Sequence, residues 1–483
     1  MAEWQNCAEL PDHAIGSRAR PLPNPHVGAR MEPRPTMRII LIGGGEIGYA
    51  LARALAPDHD LHVIDHNPAT ADRFHSLDVN FVLGSGTSAD VLRRGDVESV
   101  DLAIACTGLD EVNIVACSIA KNLGAAKTVC FVSRDDFLGT VGGRNSLREH
   151  FGVDQVIWPE AQLAEAIERI IAAPGAIDAE IFAGGQVQLL EYRLGVGSPL
   201  TAGPLASLQL PRGVVMVAAK HGDTITIPHG ETRLEPGDKA IVMGRREAMA
   251  GIEAKVAPDG GGLHDARRVT IIGGGDVGFR LAQLLDQRDD VSLQVIERDA
   301  ARGEMLAATL TRALILRGDG TDLELLETEN IGRSDVLVSV IDNDERNLLA
   351  SLLGRQLGVD KIITRVSKPA NLRLFERVGI DVALSARGAA VESVVHQIEG
   401  GKAELLAVLE EGQAKVFELI VPDDYPATAL KDLAAPPESI VGTILRNGDA
   451  IVPSGDDRIE PGDRLLVFCT DASSDRVRKF FSS

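Results

Sequence analysis

Long apolar runs are missing from this chain, and so are cysteine clusters and any surplus of positive charge. No stretch offers the ~18 consecutive apolar residues that a membrane-crossing helix needs. The cysteines, Cys7, Cys106, Cys117, Cys130 and Cys469, are too few and too scattered for a disulfide framework, and no C-x-x-C pair occurs. That usage fits a reducing cytoplasm and no zinc spacing. Acids outnumber bases, 70 to 49, for a formal net charge of −21. Nucleic acid is therefore excluded as a partner, because phosphate backbones require clustered Lys and Arg. Adhesion to anionic lipid by charge alone is excluded on the same ground.

Catalytic signatures are wanting too. The 11 histidines form no pair at metal spacing, and neither H-E-x-x-H nor G-x-S-x-G occurs. His62, His66 and His75 lie near one motif, with no acid pattern to support acid–base work. Cys106 follows a strand-like run and reads as a small core residue rather than a reactive thiol. No catalytic residue and no metal ligand is assigned.

What the chain does have is repetition. At 483 residues, with 45% hydrophobic and 25% charged residues, it has material for roughly three domains at about 150 residues each. Gly43-x-Gly45-x-x-Gly48 returns as Gly273-x-Gly275-x-x-Gly278, "HVIDHN" returns as "QVIERD", "LGSGTSADVL" as "RGDGTDLELL", and "GLDEVNIVACSIAKNLG" as "DNDERNLLASLLGRQLG". A second pair follows: "VVMVAAKHGDTITIPHGETRLEPGDKAIVMG" and "IVGTILRNGDAIVPSGDDRIEPGDRLLVFC". Short β-branched runs between Gly-Asp and Pro-Gly turns predict hairpins in a small β-rich lobe. The fold class is α/β, a tandem duplication of a Rossmann-like, doubly wound parallel sheet, each copy followed by a helix and a β-rich lobe. The expected boundaries are 37–158 and 159–255 for the first half, 267–384 and 385–483 for the second, with a linker at 256–266. Residues 1–36, punctuated by prolines and free of apolar periodicity, are expected to be a disordered extension, with Met37 a candidate start. The helices "EAQLAEAIERIIAA" and "ARGAAVESVVHQIEG" read either as internal packing helices or as crossovers that pack between subunits.

Each glycine knot follows a β-rich run and opens a helical pattern, the setting in which such a knot binds pyrophosphate. The first glycine makes the turn, the second admits the phosphates, and the third lets the helix lie on the sheet. Gly43, Gly44, Gly45, Glu46, Ile47 and Gly48 thus form one candidate phosphate loop; Gly273, Gly274, Gly275, Asp276, Val277 and Gly278 form the other. Asp65 and Glu297, each ending a strand about 20 residues on, would take the ribose hydroxyls. An acid there repels the 2′-phosphate of NADP, so NAD(H) is expected, with ATP or ADP the alternative sharing that ribose. Gly84 with Ser85, and Gly318 with Asp319, should lie at the carboxyl end of the third strand, and Thr107 and Asp342 just beyond the fourth. Ordinary turn chemistry would also account for these last residues.

Two cofactor folds without catalytic apparatus look like a sensor. In this order the motifs resemble the TrkA family, cytoplasmic NAD-binding subunits of Trk potassium uptake systems built from two RCK (regulator of potassium conductance) domains. The resemblance covers 37–483. It implies a peripheral protein on the cytoplasmic face of the membrane, assembled as a homotetrameric ring and gating an integral-membrane Trk channel subunit. It also implies an Arg in the strand after the "D-E-x-N" helix. Arg365 supplies it in the second half, whereas the first has Phe131, with Arg134 three residues on. The alternatives are a regulator of another cation transporter or a soluble NAD-dependent oxidoreductase, the latter disfavoured by the lack of a substrate domain.

Overall fold

A strand buried on both faces of a parallel sheet must be apolar throughout rather than alternating. The chain meets that demand at β1 (Arg38–Ile42), where Ile39, Ile40, Leu41 and Ile42 are all buried. With β2 (Asp60–Asp65), β3 (Asn80–Leu83), β4 (Leu102–Ala105), β5 (Lys127–Phe131) and β6 (Gln155–Ile157) it forms a parallel sheet of order β3-β2-β1-β4-β5-β6. The structure, a computed structural model, describes residues 37–133, 150–173, 175–256, 267–368, 371–398 and 403–482. The extension 1–36, Arg134 and the segment 257–266 lie outside the described residues.

A five-stranded antiparallel sheet follows: β7 (Asp178–Phe182), β8 (Val187–Arg193), β9 (Val214–His221), β10 (Thr224–Thr226) and β11 (Lys239–Arg245), in the order β10-β9-β11-β8-β7. The plan then repeats. Strands β12 (Arg267–Ile272), β13 (Val291–Glu297), β14 (Leu314–Arg317), β15 (Val336–Ser339), β16 (Lys361–Arg365) and β17 (Val382–Leu384) make a second parallel sheet, β14-β13-β12-β15-β16-β17. The closing lobe holds β18 (Ala403–Leu409), β19 (Ala414–Ile420), β20 (Thr428–Ala429), β21 (Ser439–Arg446), β22 (Asp449–Ile451), β23 (Arg458–Ile459) and β24 (Arg464–Thr470). Its main sheet runs β18-β19-β24-β21-β22, beside a β20-β23 pair. The chain is therefore α/β, a duplicated Rossmann-like sheet with antiparallel lobes.

Turn chemistry sets the registers of the lobes. Asn447 and Gly448, at φ 55° and 90°, close the β21–β22 hairpin as a type I′ turn demands. In the two Glu-Pro-Gly-Asp turns, Asp238 accepts the Glu235 N–H at 2.8 Å and Asp463 accepts the Glu460 N–H at 2.7 Å. Asp238 then meets His221 Nδ1 at 2.6 Å, and Asp463 meets Arg446 Nη2 at 2.7 Å.

The two long helices that follow the parallel sheets do not stay with their own halves. Helix Pro159–Ala172 opens with proline at its first position and buries Ala161, Leu163, Ala164, Ile167, Ile170 and Ile171. It packs on helix Asp276–Asp286 of the second half, which buries Leu281, Ala282 and Leu285. Arg280 reaches Glu165 at 3.4 Å and Arg288 reaches Glu168 at 2.6 Å across that contact. Lys361, also of the second half, donates to the Ile170 carbonyl at 3.1 Å, near the negative end of the helix. Helix Ala386–Ile398 makes the reciprocal move, packing on helix Glu46–Leu55 and burying Ala390, Val394 and Val395 in the first half's core. Both helices thus cross between the halves of one chain.

The antiparallel lobes also meet. Val187, Leu189, Val217 and Met243 share a core with Ala407, Val416, Leu466 and Phe468. Its edge carries a buried ionic cluster. Glu410 of the second lobe receives Lys220, and Lys239 at 2.6 Å; Lys239 also holds Glu191 at 2.8 Å. Burial opposes charge on Glu410, yet its hydrogen bonds with Glu191 and the two lysines hold it down at about 2, while burial pushes Glu191 up to about 8. A carboxyl lowered by folding adds stability above its ordinary range near pH 4.5 and loses it as pH falls toward 2. Lys239→Met strands the buried Glu191, leaves Glu410 with Lys220 alone, and is expected to cost about 3 kcal/mol at neutral pH, read as a lower urea midpoint. A midpoint within error of wild type would mean that this cluster does not hold the lobes together.

Candidate nucleotide clefts

The carboxyl ends of the paired strands β1 and β4 are the position at which such sheets bind ligands. The first glycine knot sits there, and each glycine does a different job. Gly43 has φ +115°, and a Cβ on it would lie 2.9 Å from the Thr107 nitrogen. A Cβ on Gly48 would lie 1.8 Å from the Gly43 carbonyl oxygen, so only glycine lets the helix Glu46–Leu55 start so close to the strand. Gly45 faces open space, leaving the backbone bare where a phosphate would approach. The second knot repeats this: Gly273 at φ +103°, Gly278 against the Gly273 carbonyl, Gly275 open.

The strand-ending acids grip the knots. Gly44 donates its N–H to Asp65 Oδ2 at 2.7 Å, and Gly274 donates to Glu297 Oε2 at 2.6 Å. The other carboxylate oxygens accept from Asn67 N–H and Asp299 N–H, both at 2.7 Å. The acid therefore shapes the loop as well as standing where a ribose would lie, since a carboxylate has lone pairs for further donors. A charge reversal would break the loop along with any ligand contact, so a neutral amide is the sharper probe.

The second cleft is a cavity of about 310 Å³. It gathers Gly273, Gly275, Asp276, Glu297, Gly318, Asp342 and Arg365 from the candidate set. Asp319 stands behind its rim: Arg346 Nη2 meets Asp319 Oδ1 at 2.6 Å, and Arg346 itself lines the cavity. Burial opposes charge on Asp319, but hydrogen bonds from Thr321 and Arg346 hold its carboxyl below the usual range. Arg365 reaches Asp342 at 3.0 Å. In the first half Phe131 and Val112 occupy the positions of Arg365 and Arg346, so that cleft has neither cation.

Several candidate residues are also engaged by the scaffold. Val277 is buried in the core, and Ile47 packs against its own core, so each offers a ligand only backbone. Thr107 is engaged by Asn113, its Oγ1 donating to Asn113 Oδ1 at 2.6 Å, and its counterpart is Ile341 rather than Asp342. Asn113 and Asn347 each tie the fourth strand to the fifth, their amides donating to the Phe131 and Arg365 carbonyls at 3.0 Å. Ser85 is held by Thr87 at 2.9 Å. Burial pushes the Cys106 thiol up to about 12, which suits an inert core residue.

Four charged contributors escaped the sequence reading, one of them Arg298, which follows Glu297 and lines the cavity. Arg346 could have been found, because "DERN" replaces "DEVN" in the repeat. Arg302 donates to the Gly274 carbonyl at 2.7 Å and meets Asp276 at 3.2 Å. Glu160 comes from helix Pro159–Ala172 of the first half, yet lines the second cavity. Burial pushes its carboxyl up against the pull of Arg365, and its Oε2 has no hydrogen-bond partner among the described residues. No local signal marked it.

Residues 39–159 and 269–386 match the TrkA-N domain, and residues 189–257 and 416–482 match the TrkA-C domain. The chain belongs to the TrkA family. Two relatives from Methanosarcina mazei, named Trk system potassium uptake protein TrkA homologs 1 and 2, are 36% and 37% identical to it, each match spanning 92% of this chain and 100% of the relative. The Trk system potassium uptake protein TrkA of Halomonas elongata is 30% identical over 90% of this chain and 96% of its own. Among solved structures the GsuK RCK domain superposes with a TM-score of 0.57 at 19% identity, covering 94% of this chain and 96% of that one. The GsuK channel bound to NAD gives a TM-score of 0.57 at 18% identity, covering 94% and 80%. At that identity the likeness is one of fold. TrkA membership places the chain in a potassium-uptake family, not an enzyme family.

Glu297→Gln keeps a carbonyl oxygen for the Gly274 N–H, gives up the bond accepted from the Asp299 N–H, and removes the charge. It is expected to weaken NADH binding at the second cleft about tenfold while costing ~1 kcal/mol of stability. Titration calorimetry and urea unfolding on the full chain read the two effects separately. An unchanged affinity would remove Glu297 from the ribose.

Proposed function

We propose that the chain is the cytoplasmic, nucleotide-sensing regulatory subunit of a potassium uptake system. It reads NAD(H), with ATP or ADP as competing adenine nucleotides. The chain assembles as a homotetrameric ring at the cytoplasmic face of the membrane and gates an integral-membrane Trk-type channel subunit. The observation that carries this reading is Glu160: a cleft of one half is walled by a helix of the other. A nucleotide there touches both halves at once, so occupancy and the arrangement of the halves are linked. A tenfold effect on gating needs only about 1.4 kcal/mol of difference in nucleotide affinity between two arrangements.

Family membership supports the potassium-uptake role, and NAD is the ligand recorded for one solved neighbour of this fold. No helix among the described residues is long and apolar enough to cross a membrane, which agrees with a subunit that acts on a separate channel. Ring assembly draws support from exposed apolar side chains on the outer helices of the second half, Leu349 and Leu352 on Asp344–Leu357, and Leu374 on Leu372–Arg377 with Val378 just after it. Light scattering is expected to give about four times the chain mass of 51.3 kDa.

The decisive assay is rubidium uptake in cells deprived of this chain. Uptake should fall, recover with the intact gene, and lose its NADH dependence with the doubly neutral Asp65→Asn/Glu297→Gln protein. Uptake that ignores removal of the chain would overturn the assignment.

A further inference from the structure

Glu160 has an opposite number. It is the second residue of helix Pro159–Ala172, and Arg387 is the second residue of helix Ala386–Ile398. Because the helices cross between halves, each reaches the cleft that its own half does not form. Glu160 lines the second cavity, while Arg387 forms an ion pair with Glu46, the first residue of the helix behind the first glycine knot. The two clefts thus receive opposite charges from equivalent positions.

The clefts' own residues differ to match. Glu46 and Asp276 are the same position in the two knots, an acid at the helix start where phosphates arrive. In the second cleft Arg302, from the same half, neutralises Asp276. In the first cleft Thr70 stands where Arg302 would be, and Arg387 supplies the neutralising charge from across the chain. The second cleft also owns Arg346 and Arg365, both already paired with its acids Asp319 and Asp342, and Arg298 at its exposed rim beside Glu297.

We propose that Arg387 is a phosphate-binding residue of the first cleft and Glu160 an anionic stop in the second, so that the clefts sort nucleotides by charge. A nucleoside triphosphate takes the first cleft, where the crossing side chain attracts its terminal phosphates. NAD(H), whose two phosphates each carry a single charge, takes the second, where Glu160 repels further negative charge. Charge of this kind selects partners more than it adds raw affinity, and it does so here from outside the half that holds the ligand. The inference rests on the reading that both clefts bind nucleotide.

The test measures ATP and NADH affinities by calorimetry on the full chain, with one cleft weakened at a time. In a Glu297→Gln background, which leaves the first cleft intact, Arg387→Ala should weaken ATP about fivefold and NADH less, with Arg387→Lys recovering most of the loss. In an Asp65→Asn background, Glu160→Gln should strengthen ATP about fivefold and shift NADH less than about twofold. Equal losses for both nucleotides at Arg387, or an ATP affinity indifferent to Glu160, would overturn the sorting. If the wild-type chain binds neither nucleotide, the functional reading fails first. Matching urea midpoints separate binding effects from folding effects.

Discussion

Leu163, Ile167 and Ile170 on one helix and Leu281 and Leu285 on another share a core although the first three belong to one half of the chain and the last two to the other. The rest of the molecule follows from that exchange. A long helix with an apolar stripe must bury it, and here the burial site is the Rossmann helix of the partner copy. Ala390, Val394 and Val395 do the same in reverse, alongside Leu51 and Leu55. Neither half is then a closed body: each parallel sheet is covered on one side by a helix it does not encode. The lobes complete the embrace through the Lys239–Glu410 pair and the core around Met243 and Phe468. Cutting the chain between copies would leave two exposed stripes rather than two stable domains.

The duplicated halves have kept the frame and diverged where ligands would lie. Gly43, Gly45 and Gly48 and their repeats are bound by sterics, since a Cβ at Gly48 or Gly278 would collide with a carbonyl oxygen. Asn113 and Asn347 are bound by hydrogen bonds that sew two strands together. By contrast Phe131 against Arg365, Val112 against Arg346, Thr70 against Arg302 and Arg387 against Glu160 change the charge of the clefts without touching the frame. Electrostatics is the freer variable because a charged group at a partly open rim adds little to stability.

Much of the frame was legible beforehand because its causes are local. Period-two and period-3.6 patterns fall within a dozen residues, and turns such as Asn447-Gly448 announce themselves by their own φ requirements. Within the phosphate loops Ile47 and Val277 offer backbone alone, and the spacing Val277, Leu281, Leu285 already places the second of these on the buried stripe of its helix. The destination of the long helices, and with it Glu160 and Arg387, was not legible. Two internal faces of similar length and polarity were available to each stripe, and only long-range packing chooses between them. Arg302 was hidden for a related reason: its partner Asp276 lies in another element, and the repeat offers Thr70 in its place.

The exchange also shortens the path from ligand to quaternary structure. Glu160 lies on the first turn of the helix whose later turns carry Leu163 and Ile167 into the core of the opposite half. A change in how Glu160 is held need not travel through a network: it acts at the end of a rigid rod whose flank is the contact between halves. Packed cores resist continuous deformation and respond by switching between arrangements, so a modest bias at the rod's end can select one arrangement of the whole chain. The opposite helix presents Arg387 to the other cleft in the same way, and the two rods pack on each other. Two ligands that bias those rods differently would then compete for a single shape, even though each sits in a cleft of its own.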